Sequence, residues 1–362
     1  MILVHICCSV DSHFFLQKLQ TDFPNDKIIG FFYDPNIHPY SEYRLRLFDV
    51  QRSCKILNIE LIEGDYDLDN WLQSVKGLEN EPEKGDRCTV CFDKRLTISI
   101  KKALELGCNK FTTTLLISPK KSQDKLKIIG EELSNKFNCE FVFKDYRSGN
   151  GMELQSKEVK QNKLYRQNYC GCLFGLTAQR ILQDKLLDEM ISPINQQILP
   201  ESIEERLNLY KQILTLQEKN INFKVIKTRF LNYRLLSGKV ISKKEIIPSY
   251  FICYSTLKNT KTNGKIEYSI DNIHYFNRDE VKIIDLQYFN TIANKNYKNI
   301  QELNYNPLDF YNELDIRYKL LNNNYDLSCL IVLDTIIDTK LEIYLNSKTY
   351  EDVKEEIKII QE

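Results

Sequence analysis

Long apolar runs are absent from this chain. No stretch approaches the roughly 18–20 apolar residues of a membrane-spanning helix, which excludes a helical membrane protein. A charge excess is absent as well: fifty basic residues balance fifty acidic ones, so net charge points to no partner. No internal repeat is visible. Hydrophobic residues at 42% and charged residues at 28% are ordinary globular composition, which excludes disordered and collagen-like chains. The start, MILVHICCSVDSHFF, has no basic segment ahead of its apolar run. It reads as a buried first strand rather than a signal peptide, and a cytoplasmic protein is expected. Nor does a glycine-rich phosphate loop follow that strand. Where a nucleotide site would offer glycines and backbone amides, HICCSVDS offers thiols, which argues against an ATP-dependent sulfur transferase.

What is present is cysteine. Eleven cysteines are many for an intracellular chain, and an odd number without a secretion signal argues against a disulfide framework. Cys7 and Cys8 are adjacent, Cys88 and Cys91 form a CxxC, and Cys170 and Cys172 form a CxC. Cys54, Cys108, Cys139, Cys253 and Cys329 are isolated and read as small buried hydrophobes.

The length of 362 residues predicts two domains. ILVHICC (2–8) and IIGFFYDP (28–35) read as buried strands, with further strands at 60–62, 110–115 and 140–143. Helix-like segments lie at HFFLQKLQTDF, 41–57, 93–106 and 122–137. This alternation predicts an α/β domain over residues 1–190, three-layered around a mainly parallel sheet. Ligand sites in such sheets lie beyond the carboxyl ends of the strands, where Cys7 and Cys8 fall. ISPINQQILPES (191–202) reads as a linker. Residues 200–362 read as a separate α+β domain, with an amphipathic helix at 202–219 and a TNG turn (262–264) between SYFICYSTL and KIEYSI. Residues 219–265 hold eleven basic residues and one acidic residue, Glu245, among Phe223, Phe230, Tyr233, Tyr250, Phe251 and Tyr254. That pattern suits RNA binding, and equally a solvated basic face over an ordinary β-layer.

Thiolates favour soft or borderline metals, and CxxC and CxC spacings let both sulfurs reach one site. Four would serve a structural zinc or a [4Fe–4S] cluster, and six are too many for either. Asp11, three residues after Cys8, is a candidate seventh ligand or a helix N-cap. Seven donors divide as four thiolates for a cluster and two thiolates plus a carboxylate for a harder ferrous or zinc ion. Spacing leaves open which cysteine serves which, and a CxxC alone also suits a structural zinc half-site.

Several segments taken together resemble the epoxyqueuosine reductases of the QueH type over about the first 175 residues. They are HICCSVD (5–11), FFYDPNIHPYSEYRLR (31–46), EGDYD (63–67), VKGLENEPEKGDRCTVCFDKRL (75–96), FTTTLLISPKK (111–121) and LYRQNYCGCLF (164–174). The resemblance implies a Rossmann-like α/β domain and reduction of epoxyqueuosine to queuosine at the tRNA wobble position. It also implies a [4Fe–4S] cluster with an adjacent metal ion, iron being expected. Carried onto this chain, the ligands are Cys7, Cys8, Asp11, Cys88, Cys91, Cys170 and Cys172. Many members carry a cysteine where this chain has Asp11, which favours carboxylate ligation here. The resemblance assigns nothing beyond about residue 190 and names no electron donor; tRNA docking by residues 219–265 is the expectation for the second domain.

Turning an epoxide into an alkene takes two electrons and two protons and releases water. Tyr165, Tyr169, His38 and Asp11 are candidate proton donors. A metal-bound carboxylate is a poor donor, so a tyrosine or a metal-bound water is favoured. Arg166 and Arg87 could bind phosphate, balance the charge of a reduced cluster, or form ordinary ion pairs. Lys120 and Lys121 read as a phosphate contact or a solvated pair, and His38 and Tyr33 as a pocket wall or part of a rigid loop. Trp71 reads as packing. The competing class is a zinc-stabilised, non-catalytic RNA-binding protein.

Overall fold

The computed structural model describes residues 1–191 and 196–360; residues 192–195 of the expected linker lie outside them. Contacts divide the chain into two units, Met1–Met190 with Tyr210–Asn222, and Ile191–Leu209 with Phe223–Glu362.

The first unit runs β1 (Ile2–Ile6), α1 (Ser9–Asp22), β2 (Ile28–Phe32), α2 (Tyr40–Ile56), β3 (Glu60–Glu63), α3 (Leu68–Ser74) and α4 (Asp86–Glu105). It continues β4 (Lys110–Thr113), α5 (Gln123–Phe137), β5 (Glu140–Phe141), α6 (Gly151–Gln161) and α7 (Leu173–Leu182). The strands are all parallel, in the order β3-β2-β1-β4-β5. β1 is buried throughout because a central parallel strand is covered on both faces, which is why its sequence is an unbroken apolar run apart from His5. Helix α1 packs with α2 and α6, and α4 packs with α3 and α5. Right-handed crossovers place these groups on opposite faces, giving the Rossmann-like, three-layer α/β architecture. Strand order reverses between β1 and β4, and the crevice beyond their carboxyl ends is where such sheets bind ligands.

Helices α6 and α7 are not legible in the sequence. The buried residues of α6 are Gly151, Gln155 and Val159, so a glutamine sits at the centre of the face that packs and hides the apolar period. Helix α8 (Ile203–Glu218) forms as expected, but Tyr210–Asn222 groups with the first unit rather than with the second domain. There Tyr210 packs edge-on against Tyr165 at 5.3 Å, and Arg52 donates to Gln217 Oε1 at 2.9 Å.

The second unit carries β6 (Phe223–Ser242), β7 (Glu245–Ile247), β8 (Ser249–Phe251), β9 (Lys261–Gly264), β10 (Ile266–Ile270), β11 (Ile273–Phe276) and β12 (Val281–Asp285). Helices α9 (Leu286–Ala293), α10 (Ile300–Tyr305) and α11 (Phe310–Leu321) follow, then β13 (Cys329–Leu333) and β14 (Leu341–Ile359). The strands form a mixed sheet, β10-β11-β12-β13-β8, and an antiparallel one, β7-β6-β14-β9, so this unit is α+β. The expected TNG turn is corrected. Thr262–Gly264 lies inside β9, paired with β14, while β8 and β10 occupy opposite edges of the other sheet. Thr262 is buried and donates to Glu280 at 2.8 Å, a packed role that an exposed turn would not have. Tight turns fall instead at Lys243–Lys244 and Asp271–Asn272, where both residues take positive φ.

Much of the basic stretch lies in a paired strand. β6 pairs along its length with β14, which carries the acidic residues of the tail. Arg229 meets Glu351 at 3.1 Å, Lys227 meets Glu355 at 3.9 Å and Lys261 meets Glu342 at 2.8 Å. Arg234 is buried and donates to the Pro200 and Tyr233 carbonyls. Phe223, Tyr233, Tyr250 and Phe251 are buried, not displayed for bases. Part of the charge asymmetry along the chain is thus offset across the ladder.

Candidate metal centre

The centre is built at the β1/β4 switch point. Cys7 and Cys8 follow β1 directly, and Cys8 occupies the N-cap of α1. Asp11 is therefore in the first helical turn and is not the cap, which corrects that alternative. One turn brings its carboxylate back toward Cys8, so a ligand atom of each of Cys7, Cys8 and Asp11 lies within 4.8 Å of the others. The Cys7 and Cys8 sulfurs are 3.7 Å apart, and Cys7 Sγ is 3.9 Å from Thr114 Oγ1, just past β4. Gln155, from α6, donates to Asp11 Oδ1 at 3.1 Å and to the Val10 carbonyl at 3.0 Å, holding the carboxylate in place. Burial pushes the Asp11 carboxyl up, against hydrogen bonds from Cys8, Gln155 and Ser118.

The other thiols come from two more helix N-termini. Cys88 and Cys91 share one face of the first turns of α4, and Cys172 is the N-cap of α7. Three helix N-termini aimed at one crevice favour anionic sulfur there. Cys91 and Cys172 share an apolar wall with Trp71, Val75 and Phe174, and burial raises both thiols, Cys172 to about 11. Cys170 differs. Burial opposes its ionisation, but the charge of Lys121 and a 2.9 Å hydrogen bond from Lys121 Nζ outweigh that and hold the thiol below its ordinary value. Lys121 also feels Cys88, and Arg95 feels Cys91, Cys7 and Cys170, so the thiols surround two buried cations. Arg95 ion-pairs with buried Asp34, whose carboxyl burial pushes up to about 6 in spite of Arg95. A cavity of about 250 Å³ opens on the group, lined by Cys7, Asp11, Lys121, Gln155, Arg166 and Cys170 among others.

The FFYDPNIHPYSEYRLR segment supplies the clamp on the CxC loop. Buried Arg46 donates to Glu42 Oε1 at 2.7 Å and to the Cys170 and Tyr169 carbonyls at 3.0 Å each. The His38 amide donates to the Gly171 carbonyl at 2.8 Å. Gly171 has φ +110, and a Cβ there would lie 2.9 Å from Ile37 Cγ1 and 3.1 Å from an Arg46 nitrogen.

Several expected roles change. The Tyr165 hydroxyl donates to Glu42 at 3.0 Å and the Tyr169 hydroxyl to the His38 carbonyl at 2.7 Å. Both hydroxyls are engaged with the clamp segment, and burial pushes the Tyr169 phenol far up. Arg87 donates to the Leu78, Glu79 and Glu81 carbonyls, fixing the loop ahead of Cys88, which removes it as a phosphate contact. The lysine pair divides: Lys120 is exposed and Lys121 is buried against sulfur. Arg166 is exposed at the cavity wall. Glu42, Arg46, Asp34, Arg95 and Gln155 went unread. Three carry a signal: Glu42 and Arg46 are spaced i, i+4, and Arg95 continues the Cys88–Cys91 face of α4.

Fold and site together define an α/β protein with a thiol-rich candidate metal site at its switch point. The family model of Epoxyqueuosine reductase QueH matches residues 2–178. Epoxyqueuosine reductase QueH of Helicobacter pylori is 41% identical over 97% of this chain and 98% of its own length. The proteins of that name from Streptococcus pyogenes (35%) and Thermotoga maritima (33%) match over 50% and 49% of this chain, and 72% and 92% of their own. The chain belongs to the epoxyqueuosine reductase QueH family and is an oxidoreductase. Membership sets aside the non-catalytic zinc alternative. Among the described residues no helix is long and apolar enough to cross a membrane.

Proposed function

We propose that this chain reduces epoxyqueuosine to queuosine in tRNA, in the cytoplasm. Cys7, Cys8 and Asp11 hold a metal ion, read as iron, and Cys88, Cys91, Cys170 and Cys172 hold a [4Fe–4S] cluster. The observation that carries this reading is the crowding of Cys7, Cys8 and Asp11 within 4.8 Å, beside Cys88, Cys91 and Cys170 in the field of Lys121 and Arg95, with Cys172 packed near Cys91. A single ion needs donors that close, whereas a cuboidal cluster takes its thiolates at four separated corners. The mixed thiolate–carboxylate set suits a borderline ion, and the all-thiolate set suits iron–sulfur. When bound, the cluster supplies electrons singly and the ion polarises a carbon–oxygen bond.

The chain's own residues prepare that chemistry. Gln155 orients the Asp11 carboxylate, as outer partners of metal ligands do. Arg46 fixes the backbone that carries Cys170. Lys121 and Arg95 offset negative charge on the thiolates. Arg166 and Lys120, exposed at the cavity, are placed for the phosphates flanking an unstacked base. The T. maritima relative, 92% covered by a match to half of this chain, supports placing the whole reaction in the first unit.

The test is anaerobic purification with iron and sulfide analysis, then assay on tRNA carrying epoxyqueuosine. Roughly four sulfides and four or five irons are expected. Cys91→Ala should lose sulfide, and Asp11→Ala should lose about one iron and keep sulfide. A zinc-only protein inactive on this tRNA would refute the proposal.

A further inference from the structure

We propose that Lys121 sets the reduction potential of the cluster, through a charge-assisted hydrogen bond to the sulfur of its ligand Cys170. The inference rests on the function proposed above.

Lys121 leaves the turn after β4 and buries its side chain, 8% exposed, with Nζ 2.9 Å from Cys170 Sγ. Arg147 donates to the Lys121 carbonyl at 3.0 Å and pins that turn. The carboxylate beside it, Glu83, is farther at 3.6 Å and 45% exposed, so water screens that pair more than the contact with sulfur. A lysine meant for phosphate would be exposed, as its cavity-lining neighbour Lys120 is. The second cation, Arg95, is compensated by its own buried ion pair with Asp34. Lys121 is therefore the buried positive charge whose nearest anionic partner is a ligand sulfur.

Reducing a [4Fe–4S] cluster adds one electron and so one negative charge. A cation hydrogen-bonded to a ligand sulfur stabilises that added charge more than it stabilises the oxidised cluster, and this raises the potential. A charge-assisted bond of this kind is roughly twice as strong as a neutral one, and part of its strength differs between the two states. Loss of the bond should lower the reduced-to-oxidised ratio at fixed potential about tenfold, which is about 59 mV for a one-electron couple.

The experiment uses the full-length holoenzyme, loaded anaerobically, in wild-type, Lys121→Met, Lys121→Gln and Lys121→Arg forms. Iron and sulfide are counted first, then the cluster is titrated with dithionite as the one-electron reductant and followed by its visible and EPR signals. The expected result is full loading in all forms, the lowest potential in Lys121→Met, and recovery toward wild type in Lys121→Arg. Lys121→Gln, which keeps a donor without charge, should fall between. A loaded Lys121→Met with the wild-type potential overturns the proposal. Failure of all three variants to load where wild type loads also overturns it, because Lys121 would then assemble the site rather than tune it. A wild-type protein with no cluster refutes the proposed function itself, a separate result.

Discussion

Gly171→Ala should damage the centre without touching a single ligand atom. Gly171 sits between Cys170 and Cys172 at φ +110, a conformation that costs a residue with a Cβ roughly 1–3 kcal/mol. The added methyl would lie 2.9 Å from Ile37 Cγ1, where unstrained carbons stand about 3.5–4.0 Å apart. It would also meet the Arg46 guanidinium at 3.1 Å, and both neighbours are buried. Overpacking of this kind costs about 1–3 kcal/mol, so the sum is roughly 2–6 kcal/mol, reduced by whatever the loop can yield. Trp71, the chain's single tryptophan, is buried against Cys91, Cys172 and Phe174, so its fluorescence reports unfolding of this region in urea. With a urea slope of about 2 kcal/mol/M, a 3 kcal/mol loss moves the midpoint by about 1.5 M. Gly175→Ala is the control. It lies in α7, its Cβ would meet only Cys172 Cβ at 3.9 Å, and it should be neutral or stabilising by about 0.5–1 kcal/mol. Equal midpoints for Gly171→Ala and wild type would show that the clamp is not rigid, and the reasoning would fail.

Three other perturbations have defined outcomes. Arg46→Met leaves Glu42 buried with Tyr165 but without its cation, and frees two carbonyls of the CxC loop; a loss of about 3–5 kcal/mol in the same urea assay is expected, with Arg46→Lys unable to restore a three-acceptor fork. In metal-free protein, iodoacetamide followed by peptide mass spectrometry should label Cys170 faster than Cys172 at neutral pH, since Lys121 lowers one thiol and burial raises the other, and Lys121→Met should erase the difference. In the second unit, buried Glu313 accepts from Tyr250 and Gln197, yet burial still raises it to about 7 from an ordinary 4.5. The folded state then binds its proton more tightly than the unfolded chain, so this stability is present below about 4.5 and lost as pH rises through 7, about 3 kcal/mol at most. Thermal melting against pH should show that slope in wild type, and Glu313→Gln should flatten it.

The sequence by itself determined the parallel α/β domain, because strand and helix periods alternate and a doubly covered strand must be apolar. It also marked the candidate donors, because paired thiols and a nearby Asp11 are recognisable as residue types at short spacings. Only the tertiary structure decided how those donors are grouped. Cys7 and Asp11 are near neighbours in the chain, but Lys121 meets Cys170 across 49 residues and Arg46 meets it across 124, and no local pattern encodes such contacts. The same holds for charge. The basic run of β6 is a count of charge along the chain only, whereas Lys227 and Arg229 meet Glu355 and Glu351 on β14, more than a hundred residues later and antiparallel beside it. Nor does any local pattern show that the Tyr165 hydroxyl goes to Glu42 and the Tyr169 hydroxyl to the His38 carbonyl, contacts across more than a hundred residues that a buried phenol needs.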